Sequence, residues 1–81
     1  MRVALAQVES RVGDFARNLD RLAAAQAEGA AGGACVVVFP EMWLVGYPLR
    51  DLLLDPGFVA AAFEAGREAV RRTAAGPPCL V

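Results

Sequence analysis

Cys35-Val36-Val37-Val38-Phe39 is an unbroken apolar run, rich in β-branched Val, that ends at Pro40. Such a run reads as a strand buried on both faces. Pro40 has no N–H to give to a sheet ladder, so the strand stops there. The next residue, Glu41, is therefore presented at the C-terminal end of the strand. Ligands in open α/β sheets bind at that edge. The chain contains no His and no Lys. Glu41 thus has few catalytic companions here, and His-dependent serine-triad chemistry is excluded.

The flanking pattern places this strand in a repeat of strands and helices. Residues 2–8 predict a first strand, with Val3, Leu5 and Gln7 on one face and Ala4, Ala6 and Val8 on the other. Two mostly apolar faces suggest a central strand of a covered sheet. Asp14 predicts the N-cap of a helix over 15–28, with Phe15, Leu19 and Leu22 on its apolar stripe. Gly29 is expected to stop the helix, and Gly32-Gly33 to make the turn. This glycine cluster follows a helix and lacks the GxGxxG order, so it is not a phosphate loop. Strand, helix, strand predicts two parallel strands with a right-handed crossover.

Residues 42–54 read as irregular, or as a short helical turn that Asp51 caps, with Gly46 and Pro48 as breakers. Asp55-Pro56 starts a second helix running to about Ala75. Val59, Phe63 and Val70 are expected to share its packed face, with Gly66 leaving room for a close neighbour. Glu64–Arg67, Glu68–Arg71 and Glu68–Arg72 are spaced to pair on the outer side. Gly76-Pro77-Pro78 ends the helix, and Cys79-Leu80-Val81 begins a third strand.

Of the 81 residues, 57% are hydrophobic, above the roughly 45–50% of soluble domains. Two strands and a stub would leave sheet edges unpaired. The expectation is an incomplete N-terminal piece of a larger α/β domain. The net charge is −1 with no basic stripe, which argues against nucleic acid. No apolar run approaches the ~20 residues of a membrane helix. The N-terminus lacks the pattern of a signal peptide, so a cytoplasmic location is expected. Cys35 and Cys79 have neither CxxC spacing nor His partners, and are expected to be buried free thiols rather than metal ligands. Trp43 is expected in the core or at an interface rather than against a ligand. Gln7, at the end of the first strand, is expected to lie beside backbone pairing, with contact to the site as the alternative.

Val3-Ala4-Leu5-Ala6-Gln7, then a helix, then Val38-Phe39-Pro40-Glu41 together resemble the nitrilase (carbon–nitrogen hydrolase) superfamily. The resemblance implies an α-β-β-α sandwich, of which these residues form a βαβα opening. It also implies a Glu, Lys and Cys catalytic set, with Glu41 on the catalytic glutamate. The Lys and Cys of that set would lie beyond residue 81. Gly46-Tyr47-Pro48-Leu49-Arg50-Asp51-Leu52-Leu53-Leu54 is similar to the segment after the glutamate in the glutamine-dependent NAD synthetase branch. That similarity implies a truncated glutaminase domain over residues 1–81, with Tyr47 lining a glutamine pocket. Tyr47 packing against the sheet is an equal alternative.

The branch implies glutamine as the partner of this region. Deamido-NAD, ATP and Mg would belong to an absent synthetase domain, with no cofactor in this segment. A homo-oligomer is implied for the complete enzyme. The chemistry needs a carboxylate at this place. A thiol is mostly protonated at neutral pH and needs a base to accept its proton. The same group, now an acid, can protonate departing ammonia. Partial burial would favour the proton-donating form. Another amidase or carbamoylase of the superfamily, and a non-catalytic remnant or interaction piece, remain open. With no Lys and no placed nucleophile, the 81-residue chain alone is expected to be inactive.

Overall fold

Three parallel strands carry two helices on one face. The computed structural model describes residues 1–81. The order is β1 (Val3–Leu5), α1 (Phe15–Ala31), β2 (Val36–Val38), α2 (Pro56–Thr73) and β3 (Cys79–Leu80), with a 3-10 turn at Leu52–Leu54 before α2. The sheet order is β1-β2-β3. Val3, Ala4 and Leu5 pair with Val36, Val37 and Val38, and Val37 and Val38 pair with Cys79 and Leu80.

Alternation along the strands sends Ala4, Val37 and Cys79 toward the helices. There Leu19 and Leu22 of α1 meet Ala65 and Ala69 of α2 over Ala6, Val37 and Phe39. Leu22 and Val37 are essentially inaccessible to water. Truncating Leu22 to Ala would cost about 2–5 kcal/mol.

Local chemistry explains the helix limits. The Asp14 carboxylate accepts from the Arg17 N–H, and Asp55 accepts from Gly57 and Phe58 at the start of α2. The helix α1 passes the expected stop at Gly29 and ends at Ala31. Gly29 has a packing role: a Cβ there would lie 2.9 Å from Val37 Cγ2. Gly33, at φ +81°, makes the turn. The three expected ion pairs of α2 form, and Arg72 also reaches Asp20 of α1 at 2.8 Å.

Several expectations are corrected. β1 is shorter than 2–8 and lies at the sheet edge, with Val3 and Leu5 exposed. No layer of this chain covers that side of the sheet. Helix α2 packs through Ala65 and Ala69, while Phe63 and Val70 are exposed. Small side chains let the two helices approach, and the larger ones lie to one flank. Space around Gly66 is open, with no neighbour within 4 Å of a Cβ placed there. Cys35 is exposed and Cys79 half-buried, so neither thiol is fully enclosed. Cys35 precedes β2 and donates to Arg2 O. Asp51 holds the capping position of the 3-10 turn without a side-chain bond to it.

Candidate functional site

Glu41 stands where β2 runs out of ladder. Val37 N–H donates to Pro78 O and Phe39 N–H to Leu80 O, both at 2.9 Å. Pro40 offers nothing further, and the chain reverses. Trp43 N–H returns to Pro40 O, and Gly46 N–H returns to Met42 O. Met42 takes φ 58° within this turn.

Trp43 anchors the turn in the core. Its ring stacks obliquely on Phe39, with centroids 4.9 Å apart, and its indole N–H donates to Val8 O at 2.6 Å. Gly13 N–H donates to Val45 O at 3.0 Å. The connector after β1 and the turn after β2 are thus laced together at the carboxyl rim of the sheet.

The Glu41 side chain is exposed rather than partly buried. It is not among the four ion pairs, which lie on or between the helices. Tyr47 is 72% exposed and packs into no part of this core. Gln7 is exposed, beside the pairing of Ala6 N–H with Val38 O. A cleft of about 610 Å³ between β1 and α1 and a groove of about 420 Å³ between α2 and residues 42–45 contain neither Glu41 nor Tyr47. No group of three or more His, Cys, Asp or Glu side chains could hold a metal ion. No helix is long and apolar enough to cross a membrane.

The comparisons with known proteins agree with the motif. The profile of the carbon-nitrogen hydrolase family matches residues 2–76. The chain belongs to the carbon-nitrogen hydrolase family. Among its relatives, the glutamine-dependent NAD(+) synthetase of Rhodobacter capsulatus is 40% identical over 76 residues, 94% of this chain and 14% of that protein. The enzyme of the same name from Xylella fastidiosa (strain Temecula1) is 48% identical over 61 residues, 74% of this chain and 11% of that protein. That of Thermotoga maritima is 41% identical over 59 residues, 73% of this chain and 10% of that protein. The chain therefore spans only about a tenth to a seventh of the length of these synthetases.

Within this carbon-nitrogen hydrolase segment, two residues escaped the sequence reading. Asn18 is fully buried and Gln26 nearly so. Both fall on the apolar stripe of α1, four residues to either side of Leu22. That was the available signal: an amide on an apolar face is buried only where it finds partners. Asn18 binds the backbone of Arg11 and Leu44, and Gln26 that of Thr73 and Pro77.

Proposed function

We propose that this chain is the opening segment of the glutaminase domain of a glutamine-dependent NAD(+) synthetase, with Glu41 as the proton carrier of amide hydrolysis. The observation that carries the reading is the placement of Glu41. It follows Val38-Phe39-Pro40 at the carboxyl rim of parallel strands, in a chain 40–48% identical to two such synthetases. The family profile alone would suit another amidase or carbamoylase equally; the names of the relatives favour the synthetase.

In this reading Glu41 accepts the proton of a cysteine thiol as it attacks the glutamine carboxamide, then returns a proton to the leaving ammonia. Tyr47 lines the glutamine pocket. The nucleophile and the oxyanion-stabilising lysine are supplied by other parts of the complete protein. The same holds for the region that would use ATP, Mg and deamido-NAD. The complete protein is cytoplasmic and homo-oligomeric in this proposal. With no Lys, the 81 residues alone turn over no glutamine.

The test is a graft. The matched segment of this chain replaces its counterpart in the Rhodobacter capsulatus enzyme, and Glu41→Gln is made in the graft. Glutamine-driven synthesis should fall at least about a hundredfold, the usual weight of a general acid–base group. Synthesis from added ammonia should persist. A Glu41→Gln graft that consumes glutamine normally removes Glu41 from the mechanism.

A further inference from the structure

We infer that Asn18 is a positioning residue for Glu41, acting through the backbone of the turn that carries it. The inference rests on the reading of Glu41 as proton carrier. Asn18 lies in the second turn of α1 and is wholly buried. Its Oδ1 accepts from Arg11 N–H at 2.9 Å. Its Nδ2 donates to Arg11 O at 2.8 Å and to Leu44 O at 2.9 Å. Both amide hydrogens are thus used, each on a main-chain carbonyl.

These partners define the role. Arg11 belongs to the connector after β1, and Leu44 follows Glu41 by three residues. The turn hangs from the sheet at Pro40, where the ladder ends. A turn held only there could rock about that point. The Trp43–Val8 and Gly13–Val45 bonds tie it to the connector, which is itself a loop. Asn18 ties both loops to α1, a rigid body seated on the core through Leu19 and Leu22. It touches no reacting atom, yet it sets where the Glu41 backbone lies. A displacement of about 1 Å in a reacting group can cost roughly a hundredfold in rate.

Gln26 is a matched control. It is also a buried amide on α1, and its Nε2 donates to Thr73 O and Pro77 O, each at 2.9 Å. Those partners lie at the end of α2 and before β3, not on the turn after Glu41.

The experiment uses the graft described above and the 81-residue chain. In the graft, Asn18→Ala and Asn18→Asp should lower kcat for glutamine hydrolysis about tenfold to a hundredfold. KM should stay within about twofold, and ammonia-driven synthesis should be unchanged. Gln26→Ala should lower thermal stability and leave kcat alone. In the 81-residue chain, Asn18→Asp should speed amide exchange at Trp43 and Gly46, and Gln26→Ala should not. Asn18→Asp keeps the shape of the side chain, so the test survives if Asn18→Ala does not fold. Asn18 variants with unchanged kcat, or with a loss equal to that of Gln26→Ala, overturn the inference. So does unchanged exchange at Trp43 and Gly46. Should Glu41→Gln itself retain turnover, the proton-carrier reading fails separately, and the exchange result still decides whether Asn18 anchors the turn.

Discussion

Gly46 rests directly on the backbone of Val12: a Cβ at residue 46 would stand 2.6 Å from the Val12 nitrogen. The glycine also holds φ at +94°, which L side chains rarely adopt. Because the clash is with main chain, no rotamer change relieves it. Gly46→Ala should lower stability by about 2–4 kcal/mol, combining overpacking with backbone strain. The midpoint of urea unfolding reads this directly. Gly66→Ala should act in the opposite sense, since that helical site is open. A gain of about 0.5–1 kcal/mol is expected there.

Trp43→Phe should keep most of the stacking on Phe39 while stranding Val8 O. Because this acceptor is only part-buried, the loss should fall at the low end of the roughly 1–3 kcal/mol that an unpaired buried group costs. Equilibrium unfolding should show this loss. Phe39 fluorescence is too weak to serve, so circular dichroism is the suitable probe.

Tyr47→Ala should separate binding from folding. The residue is 72% exposed, so the 81-residue chain should melt unchanged. In the graft, KM for glutamine should rise about tenfold with kcat nearly constant, the mark of lost uniform binding. An unaltered KM would remove Tyr47 from the pocket.

Acid should weaken the ion pairs along α2. Hydrogen bonds from Arg71, and then Arg72, hold the Glu68 carboxyl below the ordinary carboxylate range. A depressed folded value means the stabilisation is present above the unfolded pKa and lost as pH falls through the folded one. Thermal midpoints should therefore drop as pH falls from the ordinary carboxylate range through the lowered folded value, and Glu68→Gln should flatten part of that slope. The effect should be small and should shrink with added salt, because these groups are reached by solvent.

The two thiols should react at different rates. Cys35 is exposed, whereas Cys79 is half-buried and burial pushes its thiol up. Iodoacetamide near neutral pH should label Cys35 first, since the thiolate is the reactive form. Cys35→Ser should leave only the slow phase.

What the sequence made legible was local chemistry. Asp14, Asp55-Pro56 and Pro40 mark their boundaries through bonds made or refused within a few residues, and the structure obeys them. The parallel pairing of β1 and β2 followed from the strand, helix, strand order, and β3 joins them parallel as well. The packed face of α2 is not legible from apolar bulk, because fit decides it: Ala65 and Ala69 are buried, Phe63 and Val70 are not. The bonds from Asn18 to Leu44 and from Gln26 to Pro77 span 26 and 51 residues, so no local pattern encodes them. The position of Glu41 was readable from Pro40. Its exposure was not, because enclosure depends on what surrounds the rim rather than on its neighbours in sequence.

Three strands running the same way give the sheet two unlike borders. Met1 precedes β1 at the amino border, while Glu41 and Val81 both follow strand ends at the other. A purification tag or fluorophore joined at Val81 would lie at the same border as the glutamate, and one joined to Met1 at the opposite border. Probes meant to watch Glu41 without obstructing it therefore belong at the first residue.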